Sequence, residues 1–270
     1  MKLGISTYTY TWAFGIPGQQ PEVHMDPFGL IDKAADFGID CVQIADNFDL
    51  SALDSARLSV LASYAAKKNI EIEAGSRGLT EENLDRCIDV AKKLSSPILR
   101  MVIDQKDYKP APDTVISIIR NAASKLASQK ITLVLENHDR LPSIVFREII
   151  EKSGTEFAAI CLDCVNSMGI GEGLQTVIEN LAPLTVNLHV KDFSVKRLSH
   201  MMGFLIEGKP AGQGFLELPL ILEKLNAYGK CRSAILELWT PPATQVEETL
   251  KREEEWATES IVYLKKIMKP

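Results

Sequence analysis

The sequence predicts an α/β protein folded as a closed (β/α)8 barrel, and three observations predict it. Eight short apolar runs recur along the 270 residues. Amphipathic segments long enough for helices lie between them. No Pro/Gly/Ser-rich linker divides the chain, so residues 1–270 read as one domain. Alternating β and α elements argue for a parallel sheet. Eight such units in about 250 residues is the usual size of a (β/α)8 TIM barrel. The competing architecture is a doubly wound open sheet. Its nucleotide-binding form carries a Gly-rich turn after the first strand, whereas the first turn here holds Tyr8, Tyr10, Trp12 and Phe14.

Each element is read in order. LGISTYTY (3–10) opens the sheet and DCVQIAD (40–46) follows. The amphipathic stretch 51–69 reads as a helix before IEIEAG (70–75) and PILRMVI (97–103). A second such helix, 113–130, leads into TLVLENH (132–138). AAICLDCVN (158–166), TVNLHVKD (185–192) and SAILELW (233–239) complete the strands. A closing helix, 243–268, is strongly charged on one side, with Trp256, Ile261 and Leu264 available for the other. Its charge run reads as a solvated face.

Composition narrows the function classes. With 46% hydrophobic residues the chain has ample core, and its formal charge is -6. The isoelectric point near 5.4 disfavours nucleic acid as the main partner, because a phosphate backbone calls for a basic surface. MKLGISTYTYTW has no charged leader followed by a continuous apolar run, so no signal peptide is expected. No stretch has the apolar length of a membrane span. The five cysteines are odd in number and widely spread, which favours reduced thiols and a cytoplasmic location. Cys161 and Cys164 form a C-x-x-C, but redox pairs sit at a helix N-terminus. Here the run is aliphatic and reads as a strand, so the two thiols are expected on opposite faces.

The last four strands each finish with a residue able to bind a metal: Glu136, Asp163, His189 and Glu237. In a barrel these C-terminal ends ring one mouth, where active sites form. Pleating provides a check. If these four point inward, then Leu133, Leu135, Leu162, Leu188, Val190, Leu236 and Leu238 point outward, as packing against helices requires. The inward set would include Thr132, Cys161, Asn187 and Ser233, suited to a partly polar interior. Three carboxylates and an imidazole suit one hard or borderline divalent ion, Mn²⁺, Mg²⁺, Co²⁺ or Zn²⁺. Such an ion would offset both the mutual repulsion of the carboxylates and the cost of burying them.

LENH, CLDCVN, NLHVKD and ILELW at the ends of strands five to eight, with the opening GISTYTYTW, give the sequence a resemblance to a known family. It resembles the sugar isomerase/epimerase members of the xylose-isomerase-like TIM barrels over essentially its whole length. The resemblance implies one divalent metal held by Glu136, Asp163, His189 and Glu237. It also implies an isomerase or epimerase working by proton transfer next to a carbonyl through a metal-stabilised enediolate. Glu136 and Glu237 would then be the acid/base pair. Asn166 stands where ketose epimerases of the family tend to place a histidine, which departs from their pattern. The superfamily also contains lyases and DNA-repair endonucleases. A dehydratase or decarboxylase of a keto-sugar acid is therefore the alternative enzyme. A non-catalytic sugar-binding barrel is the non-enzyme alternative. The endonucleases need a multi-metal site richer in histidine than four residues supply.

Further residues are candidates for a small carbohydrate substrate. On a continuing strand His138 shares the inward face of Glu136, and Lys191 stands in the same relation to His189. Tyr8 and Trp12 could wall the pocket, the duller alternative being core packing. The longest interval between strands, 193–215, carries the basic residues Arg197, His200 and Lys209 with Gly208, Gly212 and Gly214. This suits a loop that binds a sugar acid or sugar phosphate, although GKPAGQG lacks the P-loop spacing. A homo-oligomer fits the resemblance.

Overall fold

The computed structural model describes residues 1–268. In chain order the elements are β1 (Lys2–Ser6), α1 (Thr11–Phe14), α2 (Pro27–Phe37), β2 (Cys41–Ile44), α3 (Ser55–Lys67), β3 (Glu71–Arg77), α4 (Glu81–Lys93), β4 (Ile98–Val102), α5 (Pro112–Gln129), β5 (Thr132–Glu136), α6 (Ser143–Ser153), β6 (Ala158–Asp163), α7 (Leu174–Leu181), β7 (Thr185–Val190), β8 (Phe193–Arg197), β9 (Phe204–Gly208), α8 (Leu218–Tyr228), β10 (Ser233–Leu236) and α9 (Val246–Ile267).

Local chemistry sets several of these boundaries. Asp26 accepts from Gly29 N to cap α2, with Pro27 at its first turn and left-handed Gly38 ending it. Asp54 caps α3 through Arg57 N, and Thr80 caps α4 through Asn83 N. Such caps satisfy backbone donors that the helix itself leaves unpaired.

Eight parallel strands close into a barrel in the order β1-β2-β3-β4-β5-β6-β7-β10. Closure is the pairing of Ile5 with Leu236, and β10 in turn pairs Ile235 with His189. The pleat divides the side chains as alternation requires. Leu133, Leu135, Leu162, Leu188, Val190 and Leu236 join the large apolar layer between barrel and helices. Ile98, Val134 and Cys161 form a separate apolar plug within the barrel. Above it the interior is polar: Gln43, Glu73, Arg100, Asn187 and Ser233 are all buried. Among the described residues the five thiols are free, with Cys164 in the outer core and Cys161 inside. No described helix is long and apolar enough to cross a membrane.

Two segments differ from the sequence expectation. The aromatic alternation after β1 is not strand. Residues 7–10 turn and α1 follows, so Tyr8, Tyr10 and Trp12 take different surroundings. Glu253 of α9 holds the start of α1 by accepting from Trp12 N (2.9 Å) and Ala13 N (3.1 Å). The long interval after β7 is not one loop either. It contains an antiparallel hairpin, β8 on β9, pairing Phe193 with Gly208 and Arg197 with Phe204.

Candidate active site

The strand ends meet as pleating requires. Glu136 closes β5, Asp163 closes β6, His189 lies in β7 and Glu237 follows β10, all four almost fully buried. They converge on one ring nitrogen. His189 Nδ1 lies 3.4 Å from Glu237 Oε1, 3.6 Å from Glu136 Oε2 and 3.9 Å from Asp163 Oδ2. It has no hydrogen-bond partner among the described residues. Asp163, His189 and Glu237 each offer a ligand atom within 4.8 Å of the others, and so do Glu136, Cys161 and His189, so His189 is common to two groups able to hold an ion. At metal–ligand distances of about 2.1 Å, neighbouring ligands stand about 3 to 3.5 Å apart.

Protein cations meet part of this charge. Arg100, mid-way along β4, reaches Glu136 Oε2 with Nε and Nη2 and Asp46 Oδ1 with Nη1. Asn166 Nδ2 donates to the other oxygen of Glu136 at 2.8 Å. Lys191 Nζ lies 2.7 Å from Asp163 Oδ2 and 3.1 Å from Glu237 Oε2. Arg77 adds a contact to Asp46 at 3.3 Å. With every group ionised, Asp46, Glu136, Asp163 and Glu237 face Arg77, Arg100 and Lys191, a formal net charge of -1. The protein cations therefore leave a deficit that a divalent ion would more than offset, and the oxygen-plus-imidazole set suits a hard or borderline one.

The charges act on one another as burial dictates. Burial works against the Lys191 and Arg100 cations, but the surrounding carboxylates outweigh it and hold both pKa values above their usual range. Burial would raise the Glu237 carboxyl, yet His189, Lys191 and Arg100 pull it below its usual value. Asp163 is fixed from behind: its Oδ1 accepts from Val165 N (2.8 Å) and Asn166 N (3.0 Å). Asn137 ties β5 to β6 by donating to Asp163 O and accepting from Asp163 N.

Glu136 and Glu237 of the cluster reach a cavity of about 730 Å³ at the C-terminal mouth of the barrel, with Asp163 and His189 buried behind its lining. Its floor carries Asp46, Arg100, Glu136, Lys191 and Glu237, and its walls carry Trp12, Ile206, Leu238 and Trp239. Lys191 lies 5.3 Å from the centre of the Trp239 ring.

The family model for the xylose isomerase-like TIM barrel matches residues 31–267. The chain belongs to this family. Among curated relatives of this xylose isomerase-like barrel is the 3-oxo-isoapionate decarboxylase of Pectobacterium atrosepticum, 28% identical, covering 98% of this chain and 95% of the relative. Among solved structures, the D-psicose 3-epimerase of Clostridium cellulolyticum H10 with D-tagatose superimposes with a TM-score of 0.73. It is 14% identical, over 98% of this chain and 97% of that one. A xylose isomerase-like TIM barrel protein of Mycobacterium smegmatis in complex with magnesium gives 0.68, at 13% identity and 97% of both chains. At these identities the structural likeness is one of fold.

Of the other residues singled out in this xylose isomerase-like chain, Tyr8, Trp12, His138, Asn166 and Lys191 line the cavity. Tyr8 Oη is 3.3 Å from Asp46 Oδ2, and Trp12 Nε1 donates to Thr240 O at 2.9 Å. His138 lies beyond the end of β5, half-exposed and paired with Asp139 at 2.7 Å. Arg197 and His200 are not brought to the cavity. Both are exposed on the hairpin, with the Arg197 guanidinium 4.4 Å from the Phe204 ring centre and donating to Met201 O. His200 Nδ1 accepts from Met202 N. The hairpin meets the cavity through Ile206 instead.

The glycine-rich segment has its own anion. Asp192 accepts from Phe193 N, Gly212 N, Gly214 N and Leu216 N at 2.8 to 3.0 Å. These amides cradle a side chain of this chain rather than facing the cavity. Sequence reasoning also missed Asp46, Arg77, Arg100 and Trp239. Arg100 was visible as the lone charge in an aliphatic strand, Arg77 ends β3 just as Asp163 ends β6, and Asp46 lies two residues past β2.

Proposed function

We propose that this chain is a divalent-metal-assisted enzyme acting on a small polyhydroxy keto acid, and that it removes the carboxyl group as CO₂. The observation that carries this reading is the state of Glu136. Arg100 holds one of its oxygens and Asn166 the other, so it is poorly placed to take a proton from substrate. Two-base epimerisation needs an oxygen of each glutamate open to the substrate C–H; decarboxylation needs no C–H to be broken. The near-full-length relative that is a decarboxylase points the same way.

Glu136, Asp163, His189 and Glu237 would hold the ion, and a bound divalent ion supplies Lewis-acid polarisation of a substrate carbonyl. The chain's own groups do the rest. Lys191, a buried cation at the cavity floor, faces the oxygen on which negative charge develops when the C–C bond breaks and its electron pair moves toward the carbonyl. The aromatic and aliphatic wall of Trp12, Ile206 and Trp239 offers the substrate carboxylate little solvation, which favours conversion to neutral CO₂. One proton must then reach the carbon that lost the carboxyl. The Lys191–Glu237 pair, 3.1 Å apart, holds a proton beside that position.

A second reading, sugar epimerisation with Glu136 and Glu237 as the two bases, is favoured by their approach to the same His189 nitrogen at 3.6 and 3.4 Å. It requires Glu136 to leave Arg100. A panel of keto-sugar acids and neutral ketoses, incubated with protein loaded with Mn²⁺, Mg²⁺, Co²⁺ or Zn²⁺, separates the two. Loss of CO₂ from a keto acid is the expected result. Mass-neutral conversion of ketoses with no CO₂ would replace it with the epimerase.

A further inference from the structure

We infer that Gln43, held in place by Glu73, is a positioning residue that keeps the proton of His189 on Nε2 and so turns a bare Nδ1 toward the three carboxylates. The inference rests on the reading of that cluster as a metal site and adds residues from β2 and β3 that neither touch the cavity nor ligate.

The argument is one of donors and acceptors. His189 Nε2 lies 2.8 Å from Gln43 Oε1. An amide can be turned end for end, so its orientation has to be fixed by its other partners. Gln43 Nε2 faces two acceptors, Glu73 Oε2 at 3.0 Å and Asn187 Oδ1 at 3.2 Å. A flipped amide would set its oxygen against both. Asn187 cannot turn to relieve this. Its Nδ2 donates to Glu73 Oε2 at 3.1 Å and Ser233 Oγ at 2.8 Å, while its Oδ1 receives Cys161 Sγ at 2.9 Å. Glu73, Gln43, Asn187 and His189 are at most 1% exposed. Once ionised, the Glu73 carboxylate has acceptors only, so the orientation propagates from it: Glu73 fixes both amides, and Gln43 Oε1 is left facing the imidazole. Nε2 must then donate. In the neutral ring Nδ1 carries a lone pair, and it is Nδ1 that points at Glu136, Asp163 and Glu237 without a hydrogen bond. Partners of this kind behind a ligating histidine orient the ring and set its basicity.

The test reads the proton directly. Metal-free protein labelled with ¹⁵N-histidine is examined by NMR at a pH well above 7, so that Glu73, raised to about 7, is ionised. We expect the Nε2–H tautomer in wild type and in Glu73→Gln, which retains an acceptor. Gln43→Leu is expected to show a mixture of tautomers, and isothermal titration with Mn²⁺ or Zn²⁺ should show affinity reduced about 10- to 100-fold. Glu73→Leu should move in the same direction. Circular dichroism confirms that each variant is folded. If a variant does not fold, the wild-type tautomer still decides. An Nδ1–H tautomer or an even mixture in wild type overturns the inference, whether or not an ion binds. The Nε2–H tautomer with no ion bound upholds the inference and removes the metal reading instead.

Discussion

Arg100 reaches across from β4 to hold the Glu136 carboxylate on β5, and its far nitrogen holds Asp46 beyond β2. One guanidinium thus supports two buried carboxylates under the cavity. Removing one partner of a buried pair leaves an uncompensated charge, which costs about 3 to 5 kcal/mol. We expect Arg100→Met to lose stability of that order in metal-free protein, measured by urea unfolding. Adding Mn²⁺ should recover part of it, because an ion at the strand ends offsets the charge on Glu136. No recovery with a bound ion would place that ion elsewhere.

The four strand-end donors carry a second prediction. Purified protein titrated with Mn²⁺, Co²⁺ or Zn²⁺ should bind about one ion per chain. His189→Ala and Glu136→Gln should weaken binding, since each removes a donor facing the same point. Unchanged affinity in both variants would end the assignment of these ligands.

Stability should fall as the pH rises through the neutral range. Burial raises the Glu253 carboxyl to about 8, with the amides of Trp12 and Ala13 pulling it partly back, and burial raises Glu73 to about 7 against opposing hydrogen bonds. Both stand above the ordinary value of 4.5. The unfolded chain therefore releases these protons first. The stability they contribute is fully present below about pH 4.5 and is lost as pH rises through about 7 to 8. Unfolding free energy measured at pH 5 and pH 8.5 should differ by on the order of a few kcal/mol. Glu253→Gln, which cannot ionise and keeps one acceptor for the α1 amides, should narrow that difference. A variant with the wild-type pH slope would remove Glu253 as its cause.

The sequence made the barrel and the arc of strand-end polar groups legible because both rest on a period of two. Leu133, Leu135, Leu162 and Leu188 could pack outward only if Glu136, Asp163 and His189 pointed in. The same alternation in CVQI, EIEAG and ILRMV placed Gln43, Glu73 and Arg100 inside as well. An isolated polar residue in a strand does not announce which distant strand completes its hydrogen bonds, so their network was not legible. The run LGISTYTY misled beyond Ser6 because alternation persists where the backbone has already turned, and the partner that holds the following helix, Glu253, lies about 240 residues away. Arg197 and His200 misled because positive charge marks a loop without saying which way it faces. The hairpin itself left a trace, FSVKR and FLIEG flanking the short LSHMMG turn, with Gly208 at its base where a Cβ would collide with the Trp239 backbone.

Asp192 carries the last prediction. It lies between Lys191, at the cavity floor, and Phe193, the first residue of the hairpin. Its two oxygens accept from the amides of Phe193, Gly212, Gly214 and Leu216. Hydrogen bonds to a charged acceptor contribute about 1.5 to 3 kcal/mol each. Asp192→Asn turns one acceptor into a donor that faces N–H groups, so one side of the cradle must open. The barrel strands do not depend on these bonds. We therefore expect a local effect: faster amide hydrogen exchange across residues 193–216, with exchange in β4 to β6 unchanged. Gly214→Ala should reproduce it without altering charge, because a Cβ there would collide with the Asp192 carboxylate and Phe193 O. Since Ile206 of the same hairpin walls the cavity, both variants should raise the KM of whichever substrate is turned over more than they lower kcat. Exchange rates that rise equally in the barrel strands would show instead that Asp192 supports the whole fold.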